Sequence, residues 1–306
     1  MTAKRRLIAV LVLPFLAACG STQGGGIPTV PPDAEGTTRT VDLDGRPFQL
    51  HVPGSYDPAT KAALVVVLLH GYQASAAMQE NYFKLTAESE RRGFLYAMPD
   101  GTKDRQGKRF WNATEACCDF SRSGVDDSAY LHRLLDMVKS SYSVDPRRIY
   151  LVGHSNGGFM AYQMACEHAT QITAIVSLAG AAANDAPPCA PARPVSILQI
   201  HGTADRTILF EGGANAGRPY PSVATTLALW RRHNGCGDQA DTSAAPMDLD
   251  SHLPGLETTV TTYRAGCRDA TRVELWSIKN GGHIPALTSD FASAIINFLF
   301  ARVSTS

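Results

Sequence analysis

Apolar runs and polar turns alternate along most of this chain. The stretch AALVVVLL, Ala62 to Leu69, is continuous Ala, Val and Leu. Successive side chains of a strand point to opposite faces of a sheet, so such a run predicts a strand shielded from water on both sides. GFLYAMP, RRIYLVG, ITAIVSLAG and VSILQIHG are strands of the same kind. Between them the period changes. Leu131, Leu134, Leu135 and Val138 stand at i, i+3, i+4 and i+7, one apolar face of a helix, with Asp126 or Asp127 as its N-cap. Further helices are predicted from about Ala74 to Arg92, from Ser155 to His168 and over SVATTLALWRRH. A last one runs through Phe291, Ile295, Phe298 and Leu299, capped near Ser289. ETTVTTYRA and TRVELWSIKN read as two late strands, and TRTVDLDGRPFQLHVP alternates around Asp44-Gly45 as a hairpin. Strands alternating with helices predict an α/β fold, a mostly parallel sheet covered on both faces. The hairpin predicts an antiparallel edge. No second linker interrupts the pattern, so residues 37–306 read as one domain.

The first residues follow different rules. Lys4, Arg5 and Arg6 precede LIAVLVLPFLAA, Leu7 to Ala18. That stretch falls short of the about 20 residues a membrane span needs and fits a secretory leader over 1–18. It ends LAAC, which resembles a bacterial lipobox and implies cleavage before Cys19 and lipidation of its sulfur. GSTQGGGIPTVPPDAEG then reads as a flexible tether, so 19–36 would join the lipid to the domain. The expected location is outside the cell membrane, anchored to the bacterial envelope, or secreted where the lipobox is not used.

Charge narrows the partners. Lys+Arg and Asp+Glu are both 28, so nothing here is the basic footprint of a nucleic-acid binder. Seven cysteines is an odd number for an exported chain. Assigning Cys19 to lipid leaves Cys117, Cys118, Cys166, Cys189, Cys236 and Cys267 for disulfides. Cys236 and Cys267 flank a polar insertion and the strand after it, and are expected to pair. Cys166 with Cys189 would join the end of one helix to the chain beyond the next strand. Cys117 and Cys118 then remain, adjacent in sequence, unless they exchange partners with that second pair. No Cys or His spacing matches a metal site, and none is expected.

The chemistry gathers at strand ends, where parallel α/β sheets place their working residues. RRIYLVG ends before Ser155, inside G-x-S-x-G. VSILQIHG ends near Gly202, with Asp205 beyond it, and VELWSIKNGG precedes His283. VVVLLHG turns at Tyr72. Serine needs a base to become a nucleophile, the base needs a carboxylate, and the tetrahedral oxyanion needs N–H donors. Ser155, His283 and Asp205 fill the first three roles, with the backbone N–H groups of Asn156 and Tyr72 as the oxyanion hole. The order Ser, Asp, His is that of the α/β-hydrolase fold. His70 and His201 read as braces of backbone turns, and His154 as the variable residue of the elbow. Asp100 reads as a turn residue, and Asp241 and Asp250 fall in the polar insertion.

The motifs LLHGYQAS, GVDDSAYL, RRIYLVGHSNGGFMAY, ILQIHGTAD and NGGH together resemble the polyhydroxybutyrate depolymerase and feruloyl esterase-like family, whose lipoprotein members are called LpqC-type. The resemblance runs from about Val41 to the C-terminus. It implies a secreted serine esterase without a cofactor, and carries over Ser155 as nucleophile, Asp205 as acid, His283 as base and Tyr72 as oxyanion donor. One position departs, since His283 is followed by Ile284-Pro285 where a Trp-Pro pair is common. The implied function is hydrolysis of carboxylic esters through an acyl-enzyme, on the pattern of a polyhydroxybutyrate depolymerase. Feruloyl or acetylxylan esterase, an acyltransferase of the same fold and a surface-displayed binding lipoprotein are the alternatives. The partner is then a polyester or a polysaccharide-linked ester. The segment GTKDRQGKRFWNATEACCDF leaves a strand on the same rim, so Trp111 is expected to border the acyl pocket with Tyr72.

Overall fold

The computed structural model describes residues 36–59, 62–184 and 189–305. The expected leader over 1–18, Cys19 and all of the expected tether but Gly36 lie outside the described residues. β1 (Thr37–Val41) and β2 (Phe48–Val52) form the opening hairpin, followed by β3 (Ala63–Leu69). Next come α1 (Ala76–Phe83), α2 (Leu85–Arg92) and β4 (Phe94–Pro99). A small ribbon of β5 (Thr102–Lys103) and β6 (Arg109–Phe110) leads to α3 (Asp127–Ser141). β7 (Val144–His154), α4 (Asn156–Glu167), β8 (Ala174–Leu178) and β9 (Ser196–Gly202) complete the centre. A second ribbon, β10 (Gly213–Asn215) with β11 (Arg218–Tyr220), precedes α5 (Val223–Asn234). β12 (Thr258–Tyr263), β13 (Val273–Ile278) and α6 (Phe291–Phe300) follow.

The main sheet has the order β1-β2-β4-β3-β7-β8-β9-β13-β12. From β4 through β13 every neighbouring pair is parallel. β1–β2, β2–β4 and β12–β13 are antiparallel, so both edges of the sheet differ from its centre. The alternation of β3 divides the core. Val65, Val67 and Leu69 pack with Leu131, Leu134 and Leu135 of α3 and with Phe159 of α4. Leu64, Val66 and Leu68 pack with Phe83 and Leu85 and with Phe291 and Ile295 of α6.

The helix expected over Ala74–Arg92 is two helices. Lys84 adopts left-handed geometry, φ 56°, and closes α1 by donating its N–H to Glu80 O. The Glu80 carboxylate then accepts from Leu85 N at 3.1 Å and Thr86 N at 2.9 Å, satisfying N–H groups at the start of α2. Asp126, not Asp127, is the N-cap of α3, accepting from Ala129 N at 2.8 Å. Asp127 is buried and receives Arg46 Nη2 and Asn112 N, each at 2.8 Å. The N-cap of α6 is Asp290, one residue beyond Ser289, and it makes no side-chain cap hydrogen bond.

Disulfides join Cys117 to Cys118, Cys166 to Cys189 and Cys236 to Cys267. The insertion between α5 and β12 runs back along β12, with isolated bridges at Asp241–Thr262 and Met247–Thr258. Among the described residues, no helix is long and apolar enough to cross a membrane.

Candidate active site

Ser155 occupies the one-residue turn between β7 and α4, at φ 52° and ψ −117°. A serine in that region stores on the order of 1–3 kcal/mol of strain, which its surroundings must hold in place. The flanking glycines explain how. A β-carbon on Gly153 would lie 2.1 Å from Gly157 O, and one on Gly157 would lie 2.0 Å from Leu69 O. Strand and helix therefore meet closer than any side chain allows, and Ser155 is thrust onto the rim of the sheet.

Two neighbouring strand ends supply its partners. His283 Nε2 lies 2.9 Å from Ser155 Oγ, and His283 Nδ1 lies 2.7 Å from Asp205 Oδ2. The loops bearing Asp205 and His283 are bonded to each other, Ala204 N to Gly281 O at 3.0 Å and Thr203 N to Ile278 O at 2.9 Å. Asp205 Oδ1 also accepts from Thr207 N at 2.8 Å and Ile208 N at 3.0 Å. His201 Nε2 stands 3.3 Å from Asp205 Oδ2. Burial alone would raise the pKa of this carboxyl. Hydrogen bonds from His201 and His283 outweigh it and hold the group well below the usual carboxylate range. Asp205 is thus a fixed anion in hydrogen-bond contact with the His283 imidazole.

The turn after β3 lies against the elbow. A β-carbon on Gly71 would sit 3.5 Å from Ser155 Cβ, so the backbone leading into Tyr72 passes beside Ser155. Asn156 is the first residue of α4, where N–H groups have no intrahelical acceptor. The Tyr72 ring leans on Phe120, centroids 5.4 Å apart.

Trp111 does not border an acyl pocket. It is 0% exposed. Its indole Nε1 donates to His70 O at 3.1 Å, and its backbone is gripped by the Asn156 side chain. The loop comes to the rim as expected, but the indole points inward, because its large apolar area and single donor are both satisfied there. His70 braces its turn, with Nδ1 donating to Gly71 O at 2.8 Å and Nε2 accepting from Gly101 N at 2.8 Å. Burial pushes its pKa down. Asp100 accepts from Ala76 N at 2.8 Å and pairs with Arg109 at 2.9 Å. Asp241 pairs with Arg264 at 2.8 Å at the surface.

Three contributors escape sequence reasoning. His201 is a second partner of Asp205, the Asn156 amide ties down the Trp111 loop, and Asp250 accepts from Ala286 N at 3.0 Å to hold the His283 exit loop. Each acts on a partner distant in the sequence or hidden inside a motif, and no spacing announces it. Among the described residues, no group of three or more His, Cys, Asp or Glu is placed to hold a metal ion.

The sequence pattern of the phospholipase/carboxylesterase family matches residues 55–226. The chain is 25% identical over 287 residues to NocK, designated an esterase, of Nocardia uniformis subsp. tsuyamanensis; the match covers 89% of this chain and 81% of that protein. It is 27% identical over 231 residues to feruloyl esterase B of Piromyces equi, covering 73% of this chain and 40% of that protein. The chain therefore spans less than half the length of that relative. The acetyl xylan esterase from Aspergillus awamori superposes with a TM-score of 0.60 at 15% identity, over 87% of this chain and 99% of that one. With the fold, the elbow and this match in agreement, the chain belongs to the phospholipase/carboxylesterase family, an esterase family of the α/β-hydrolase fold.

Proposed function

We propose that the protein is a serine carboxylic-ester hydrolase working through an acyl-enzyme. The observation that carries this is the hydrogen-bonded line Asp205–His283–Ser155, at 2.7 and 2.9 Å, ending on a serine in a strained strand–helix turn. Ser155 Oγ attacks the ester carbonyl carbon as its proton passes to His283 Nε2. The oxyanion accepts from the N–H groups of Asn156 and Tyr72. Collapse of the tetrahedral intermediate expels the alcohol, which takes the proton from His283. Water, deprotonated by His283, then attacks the acyl-enzyme, and release of the acid restores Ser155.

The rim suits an apolar acyl group. Phe120 is 43% exposed against Tyr72, Leu209 is 42% exposed in the Asp205 loop, and Ile284 is 68% exposed beside His283. The similarity to a feruloyl esterase and to the fold of an acetyl xylan esterase favours a polysaccharide-linked ester. Poly(3-hydroxybutyrate) rests on the motif resemblance alone. The leader motif and the three cystines support export, and LAAC supports Cys19 as a lipid-bearing N-terminus. Release of a Cys19→Ser variant from the membrane fraction tests that anchor.

The test of the activity is fluorophosphonate labelling followed by turnover of p-nitrophenyl acetate, methyl ferulate, acetylated xylan and poly(3-hydroxybutyrate). Labelling of Ser155 that is lost in Ser155→Ala, with turnover of the ferulate or the xylan, upholds the reading. Acyl transfer to added alcohols in preference to water makes it an acyltransferase. No labelling and no turnover makes it a binding protein.

A further inference from the structure

His154 is the variable residue of G-x-S-x-G, where neither nucleophile nor oxyanion hole requires an imidazole. Its ring is nonetheless only 6% exposed and is held on several sides. Nε2 lies 3.1 Å from the carbonyl oxygen of His283. A carbonyl only accepts, so Nε2 carries the hydrogen and donates it. Nδ1 faces the turn after β3, where a β-carbon on Gly71 would lie 3.3 Å from it. The ring meets Tyr82 edge-on, centroids 5.5 Å apart, and lies 5.3 Å from the His283 ring. Tyr82 donates from its hydroxyl to Pro285 O at 2.6 Å. The exit loop of β13 is thus held through two carbonyls from this side and through Ala286 N by Asp250 from the other. Burial, and then the neighbouring His283 imidazole, pull the His154 pKa down to about 4. The ring stays neutral at physiological pH and sets no positive charge against the imidazolium that forms on His283.

We propose that His154 is a positioning residue: by donating to the His283 carbonyl it sets the reach of the His283 ring to Ser155 Oγ. The kinetic part of this proposal rests on the esterase reading. His154→Phe keeps the buried ring and removes the donor, while His154→Gln keeps a donor. His154→Phe is expected to lower kcat and the fluorophosphonate labelling rate by about 10–100-fold with KM within about twofold, the scale of a misplaced catalytic group. His154→Gln is expected to stay within about fivefold of wild type, as a variant that retains the orienting hydrogen bond. The downfield proton resonance of His283 Nδ1–H, held at 2.7 Å by Asp205, should shift in His154→Phe and persist in His154→Gln. Wild-type kcat in His154→Phe, or a folded His154→Gln as impaired as the Phe variant, overturns the proposal. Should His154→Phe not fold, His154→Asn, whose amide is too short to reach the carbonyl, takes its place with the same expectations. If the protein hydrolyses no ester, the esterase reading falls, and the resonance still decides the role of His154: unchanged in the donor-free variant, it refutes the proposal.

Discussion

Asn156 grips the backbone of Trp111 from both directions: its Oδ1 accepts from Trp111 N at 2.7 Å and its Nδ2 donates to Trp111 O at 2.9 Å. One side chain at the start of α4 thereby fixes the loop that arrives from β6. Asn156→Ala leaves the buried Trp111 N–H without its partner, at a cost of about 1–3 kcal/mol, while Trp111 O keeps the N–H of Cys118 at 3.1 Å. Denaturant unfolding should show that loss, together with a fall in kcat, because the N–H proposed for the oxyanion hole belongs to the residue whose anchoring side chain is removed. A variant of unchanged stability would mean that water replaces the amide.

Trp111 belongs to the same lock. Trp111→Ala should cost about 3–5 kcal/mol, the usual range for an aromatic cut from a core. Turnover of acetyl and feruloyl esters should fall by the same factor, and the melting temperature should drop. A selective loss on the bulky ester at constant melting temperature would return Trp111 to the acyl pocket.

Asp205 makes stability depend on pH in a defined sense. Its folded pKa is depressed, so its stabilisation is present above the ordinary aspartate value of about 3.9 and is lost as pH falls through the folded value. Asp205→Asn should therefore be less stable than wild type at pH 7, with a gap that narrows steadily as pH is lowered below about 4. At neutral pH its kcat should fall by up to about 10⁴-fold, as when a triad imidazole loses its orienting anion. Parallel unfolding curves at both ends of that range test the sign.

The bridge from Cys236 to Cys267 closes a separation of 31 residues. By the chain-entropy model, removing it as the Cys236→Ser, Cys267→Ser double variant costs roughly 3–4 kcal/mol. Hydrolysis at low temperature should persist, since neither cysteine touches the triad, and the loss should appear in thermal unfolding. An unchanged melting temperature would show that the insertion is held by its bridges to β12 alone.

What the sequence discloses depends on how local its cause is. β3 is legible because burial on both faces forces an unbroken apolar run. The Ser155 elbow is legible because two clashes, at Gly153 and Gly157, admit nothing larger than glycine. Asp205 and His283 follow from strand placement. The break at Lys84 is hidden because the residues on both sides are good helix formers and the stop is a single left-handed residue served by Glu80. The antiparallel pairing of β12 with β13 is hidden because alternation does not encode direction. Trp111 is misread because an aromatic in a rim loop has the same sequence signature whether it faces substrate or core. The acceptors that hold it inward, His70 O and the Asn156 side chain, lie 41 and 45 residues away.

The path of the insertion along β12 has a bearing on self-association. β12 ends the sheet, and an open edge offers its backbone to any other chain in need of a strand. Here Asp241 exchanges both backbone hydrogen bonds with Thr262, and Met247 does the same with Thr258. The insertion therefore occupies in advance the groups through which two copies would otherwise zip together. Loosening it would bare an edge through which one copy could recruit another.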